Sequence, residues 1–124
     1  MKYEEISKGQ SEVYAREITL KDVLNFALLS GDTNNVHLGD QGIVHGMLIM
    51  SYISMIIGTK LPGNGSIWSS SDIRFIQPIF IGDQIVITTT VIKKNDISKC
   101  INLRTDVVTK RGLCVATSNW VYIH

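Results

Sequence analysis

The sequence predicts an α+β domain in which one long antiparallel sheet wraps a single buried helix. Three observations carry this. Helical periodicity is confined to the first half of the chain, and alternation of apolar and polar residues to the second. The segment Met47–Ile57 is apolar nearly all the way round, so it must be covered on most sides. The alternating segments run to about eleven residues, or ~35 Å, long enough to curl around something. That helix is the only wholly apolar element available to them.

Taken in order, a short strand is expected at Glu12 to Ile18. Thr19-Leu-Lys-Asp22 then reads as an N-cap with an acidic residue at the third helical position, opening a helix through Leu29. Val23, Phe26, Ala27 and Ser30 share one face of it. Gly31 ends it and lets the backbone turn into a Gly/Asn-rich loop, residues 32–42. The buried helix follows, from about His45 to Ile57, stopped by Gly58 and by Pro62-Gly63-Asn64-Gly65. Three of the four methionines lie in it, a soft lining able to fit flexible chains or simply a packed core. Strands are expected at Ile67–Ile76, Gln84–Lys93, Ser98–Thr109 and Leu113–Ile123, with Pro78 to Asp83 as a punctuating edge or bulge.

At 124 residues, the chain is expected to form one domain, 1–124, with a core of its own. A net charge of +1 with scattered lysines and arginines points to neither nucleic acid nor an anionic membrane surface. The pairs Lys93-Lys94 and Lys110-Arg111 read as solvated turn or strand-end residues. Met1 is followed by polar Lys2-Tyr3-Glu4-Glu5, and the longest apolar run falls well short of the ~20 residues a bilayer requires, so a cytoplasmic location is expected. Cys100 and Cys114 are expected to be reduced strand residues, opposite Val121 and Val107 respectively, and no metal-type spacing is present.

Chemistry concentrates between residues 26 and 48. Asp32 and His37 lie five residues apart in the loop that leads to the start of the apolar helix. A carboxylate and an imidazole can share one water, and a helix N-terminus can hold an oxyanion. The plainer readings are an Asx-turn for Asp32 and a surface histidine for His37. Asn34 is expected to fix the loop by bonding its backbone, and Ser54 to reach the site from the helix or else to bond the preceding turn. His45, at the first helical turn, is read as satisfying local polar groups.

These residues resemble a known family. Phe26-Ala-x-x-Ser30-Gly31-Asp32-x-Asn34-x-x-His37 and Ile43-Val-His45-Gly46-Met47 are similar to the hydratase motif of MaoC-like, (R)-specific enoyl-CoA hydratases of the hot-dog fold. Leu61-Pro-Gly-x-Gly65-Ser66-Ile67 and Phe75-x-x-Pro78-Ile79-Phe80-Ile81-Gly82-Asp83 resemble it in order and spacing, so the likeness covers Leu20 to about Val91. The resemblance implies reversible hydration of trans-2-enoyl-CoA, with Asp32 and His37 as the catalytic pair and the Gly46 N–H holding the thioester oxygen. It implies a homodimer with sheets joined edge to edge, an acyl-CoA substrate, and neither cofactor nor metal. Ile53, Ile56 and Ile57 are expected to line the acyl pocket. Two departures stand out: Asn35 replaces the family's usual proline, and only seven residues (38–44) separate His37 from His45. The family typically carries roughly a dozen more there. This leaves either an open site or a mobile covering segment that is missing from this sequence.

Two other functions compete. A thioesterase of this fold would place its acid on the central helix, where this chain has no carboxylate. A non-catalytic acyl-thioester-binding protein would have no need of the Asp32/His37 pair.

Overall fold

The computed structural model describes residues 1–39 and 41–124. After a single 3-10 turn at Tyr3–Glu5 come β1 (Ser11–Glu17), α1 (Leu20–Ser30), a 3-10 turn at Asn35–His37, α2 (Gly46–Thr59), β2 (Ser66–Phe75), β3 (Gln84–Asn95), β4 (Cys100–Thr109) and β5 (Gly112–Ile123). The five strands form one sheet in the order β1-β3-β4-β5-β2, antiparallel throughout. This is the hot-dog plan, with the sheet wrapped on α2.

The expected capping box opens α1: Asp22 N–H donates to Thr19 Oγ1 at 3.2 Å, and Thr19 N–H donates to the Asp22 carboxylate at 3.0 Å. Gly31 at φ 80° turns the chain out of the helix, a conformation glycine takes without steric cost. Val23 and Ala27 bury the inner face of α1.

Helix α2 sits on the sheet through Ile49, Ile53, Ile56 and Ile57, each at most 3% exposed. They meet Ile85, Ile87 and Val91 of β3, Ile101, Leu103 and Val107 of β4, and Val121 of β5, all buried on one face of the sheet. One hydroxyl pair crosses that face, Thr89 Oγ1 to Thr105 Oγ1 at 2.9 Å, so neither buried group lacks a partner. The cover is less complete than the sequence suggests. Met47 is 53% exposed, and Ser51 and Ser54 are exposed, leaving an open strip along α2 at i, i+4 and i+7.

The cysteine register also differs by one residue. Cys100 stands opposite Tyr122, and Val107 pairs with Val115, because a bulge between Val107 and Val108 takes up Cys114. Both thiols are free. Arg111 is not a merely solvated residue: its guanidinium grips Asp83, with Nη1 donating to Oδ1 at 3.0 Å and Nη2 pairing with Oδ2. Asp83 in turn accepts from Phe80 N–H at 2.8 Å, which closes the turn before β3. That turn carries Ile79 and Ile81. Their backbones bond Val44 N–H (2.7 Å) and Gly42 C=O (3.1 Å), so the β4–β5 hairpin braces the entry to α2.

Candidate active site

The loop after α1 is built from short polar contacts. Asp32 N–H donates to Ser30 Oγ at 3.1 Å, Asp32 Oδ1 accepts from Asn34 N–H at 3.2 Å, and Asn34 Oδ1 accepts from Val36 N–H at 3.1 Å. These are successive Asx-type turns, the reason short polar side chains are needed here. Asn34 therefore has the backbone-fixing role its position suggests. The Asx turn at Asp32 engages Oδ1 only, and Oδ2 stays free to face His37.

His37 follows on the 3-10 turn. Its Nδ1 lies 2.6 Å from the Ile43 carbonyl, which only accepts, so Nδ1 carries the proton and the neutral ring presents the Nε2 lone pair. Nε2 faces Asp32 Oδ2 at 3.6 Å. Two acceptors at that distance do not bond each other; a water donating one O–H to each satisfies both, with hydrogen bonds of ~2.8 Å. The imidazole is well covered, its side chain 13% exposed, whereas the carboxylate is 52% exposed.

Gly46 is the first residue of α2, so its N–H has no acceptor within the helix and sits at the positive end of the helix dipole. A Cβ at this position would lie 2.7 Å from Cε1 of Phe75, whose ring stands over the glycine. Two cavities meet here, both lined by His37, Gly46 and Phe75. The first, about 330 Å³, adds Asp32, His45, Phe26 and Met47. The second, about 410 Å³, is walled by Ile43, Ile49, Ile79 and Val115.

Asp32, His37 and Gly46 are thus brought to one cavity. Other expected residues lie elsewhere. Ile53, Ile56 and Ile57 face the sheet and line neither cavity, because a helix apolar all round hides which stripe meets the sheet. Ser54 is exposed on the opposite side of α2 and touches neither cavity. The apolar wall comes instead from Ile43, Ile49, Ile79 and Phe75, of which Ile43, Phe75 and Ile79 stand in the motifs quoted above without having been read as pocket residues. His45 is a further surprise: it is 2% exposed, stacks on His37 with ring centroids 3.7 Å apart, and touches Phe26 edge-on. Asp32, His37 and His45 offer three ligand-type atoms within 4.8 Å of one another. The stacking works against a shared ion, since stacked imidazoles direct their in-plane lone pairs side by side rather than at one point.

The comparisons agree with this architecture. The (R)-specific enoyl-CoA hydratase of Rhodospirillum rubrum is 37% identical over 112 residues, spanning 83% of this chain and 78% of that protein. That of Aeromonas caviae is 30% identical and spans 98% of this chain and 97% of its own length. The solved structure of an Aeromonas caviae (R)-hydratase involved in PHA biosynthesis superposes with a TM-score of 0.91, covering 96% of this chain and 98% of that one, at 30% identity. An unliganded R-hydratase from Pseudomonas aeruginosa gives 0.92 at 31% identity, covering 98% and 84%. A family model described as MaoC like domain matches residues 3–112, and the chain belongs to that family.

Proposed function

We propose that this protein is an (R)-specific enoyl-CoA hydratase, a hydro-lyase that adds water reversibly across the C2–C3 double bond of a trans-2-enoyl-CoA. The observation that carries the reading is the pair of acceptors, Asp32 Oδ2 and His37 Nε2, facing each other across 3.6 Å in a cavity that also reaches the Gly46 amide, which has no acceptor within α2.

Water is a weak nucleophile and C3 a mild electrophile, so both ends of the reaction need help. A water donating to both acceptors turns an oxygen lone pair outward, toward C3 of a substrate in the cavity. As the C3–O bond forms, the pair takes one proton from the water, and the π electrons move through C2 and C1 onto the thioester oxygen. The Gly46 N–H, backed by the α2 dipole, stabilises that enolate oxygen. The proton then passes from the pair to C2, which restores the thioester and leaves the hydroxyl on C3. Both O and H arrive from the side where Asp32 and His37 stand, consistent with a single (R) product. The acyl tail fits the apolar cavity walled by Ile43, Ile49 and Ile79.

Residues 1–124 act in this reading as one domain around one core, and no bound cofactor is required, since CoA belongs to the substrate. The working form is a homodimer. The location is the cytoplasm, consistent with two reduced cysteines; among the described residues no helix is long and apolar enough to cross a membrane. The thioesterase reading is disfavoured, because α2, Gly46–Thr59, carries no carboxylate.

The test follows loss of enoyl absorbance with crotonyl-CoA. Asp32→Asn and His37→Gln are expected to fold normally and to lose hydration by on the order of 10³-fold, the range typical of general acid–base groups. Either variant retaining full rate removes that residue from the chemistry, and a wild-type protein inert toward enoyl-CoA removes the reading.

A further inference from the structure

His45 is buried, polar, and unused by the chemistry above. Its Nε2 lies 2.9 Å from the backbone carbonyl of Asp32, which can only accept, so Nε2 carries the proton and donates. In the neutral ring Nδ1 is then an acceptor. Among the described residues it is buried without a hydrogen-bond partner, a group whose burial disfavours folding. A histidine kept here for stability alone makes a poor choice: an apolar ring of similar size would pack against Phe26 and His37 without leaving an acceptor bare. What the imidazole adds is the hydrogen bond to Asp32.

That bond has a particular value. Among the described residues, every other hydrogen bond fixing Asp32 comes from within two residues of it: Ser30 Oγ on its N–H and Asn34 N–H on its carboxylate. Those contacts set the shape of the turn but leave the turn free to move as a body relative to α2. The His45 bond spans thirteen residues and ties the turn to the first residues of the helix that carries Gly46. The same ring is the surface on which His37 stacks, at 3.7 Å and 19°. His37 is itself held to the Ile43 carbonyl, just before α2. One side chain therefore fixes the acid, the base and the oxyanion donor in a common frame.

Resting on the hydratase reading, we propose that His45 is a positioning residue for hydration of the enoyl thioester: its Nε2–H holds the Asp32 backbone so that the carboxylate and His37 Nε2 address the same water. Misplacement by about 1 Å costs on the order of 10² in rate where reacting atoms must meet at near-attack distances. The effect belongs on kcat, because His45 acts through the Asp32 backbone and does not line the apolar cavity that takes the acyl tail.

Two substitutions separate its parts. His45→Phe keeps a ring against His37 and removes both the donor and the bare Nδ1. His45→Gln gives up the ring but extends an amide N–H to about the same point. Phe is expected to lower kcat for crotonyl-CoA 30- to 100-fold with KM within threefold and no loss of thermal stability. Gln is expected to recover most of that, to within about tenfold of wild type. A Phe variant with kcat within threefold of wild type overturns the proposal, as does a Gln variant no better than Phe. A mutation-free check is the histidine tautomer by long-range ¹H–¹⁵N correlation on the wild-type protein. An Nε2–H form for His45 with a solvent-protected ring proton is the expected result, and an Nδ1–H form refutes the bond even if the Phe variant fails to fold. Wild-type protein in the same assay keeps the two ideas apart: an inert wild type sinks the hydratase reading and this inference with it, and an active wild type with an unimpaired Phe variant sinks this inference alone.

Discussion

Gly46 is the residue whose replacement says most about how the thioester is held. The alanine Cβ would sit 2.7 Å from Phe75 Cε1, but the far end of a half-exposed ring can swing away, so Gly46→Ala is expected to fold. Its methyl would still occupy the surface that both cavities share, and the thioester would no longer come within hydrogen-bond distance of the amide. We expect kcat/KM for crotonyl-CoA to fall on the order of 10²-fold, the scale of losing one oxyanion donor. Adding Phe75→Leu relieves the clash and is expected to leave that loss in place; recovery in the double variant would mean that the cost was steric repacking. At this scale the sequence was readable where function requires fixed local spacing. Asp32, Asn34 and His37 lie on consecutive turns whose geometry is set by their own side chains. His45 was not readable in the same way, since its bond to Asp32 and its stack on His37 arise only when the loop folds back on α2.

Among elements, the turn before β3 shows a charge acting through the framework. Its contact with the Arg111 guanidinium holds the Asp83 carboxyl below its ordinary value, and Phe80 N–H adds to the effect. A depressed carboxyl contributes stability at pH values above its unfolded value of ~3.9, and that contribution is lost as pH falls through the lower folded value. Arg111→Gln is therefore expected to lower the melting temperature by roughly 2–4 °C at pH 7, in keeping with a partly exposed pair. The gap between variant and wild type should close as the pH drops below about 4, where the unfolded chain begins to bind the proton. A gap that persists unchanged at pH 2 would mean that Arg111 acts through packing on Phe80, whose ring centroid lies 5.1 Å from the guanidinium carbon, and not through charge. The strands themselves were legible because alternation is strict: Ile85, Ile87, Thr89 and Val91 all face the helix. The Val107/Val108 bulge was not, since one extra residue leaves the alternation on either side intact and shifts only the partner. The facing of α2 was illegible for the opposite reason: a helix without a polar stripe carries no phase.

For the whole molecule, the isolated chain leaves three features unfinished, and they point the same way. Asp32 is 52% exposed, although a hydration site works best with bulk water shut out, and the short 38–44 connection supplies no long flap above it. β2 is an edge strand with Ile67 52% and Phe75 54% exposed, an unpaired row of backbone groups beside apolar side chains. The strip of Met47, Ser51 and Ser54 on α2 is open to solvent, and its small residues allow another helix to approach closely. A second copy joined along β2 would pair the edge, cover the strip and wall the site beside Phe75, supplying the cover that the loop lacks. The protein is therefore expected to sediment at twice its 13.8 kDa chain mass at micromolar concentration. Ile67→Glu on the edge and Ser54→Arg on the strip each bury a charge in that contact, and both are expected to shift the protein toward monomer. Neither residue lines either cavity, so a monomeric variant that still folds isolates the contribution of the partner. Its hydration rate should fall at least tenfold and recover as concentration drives reassociation. A fully active monomer would show that one chain excludes water without help, and two variants that remain dimeric would put the interface on another edge, β1 being the alternative the sheet order leaves.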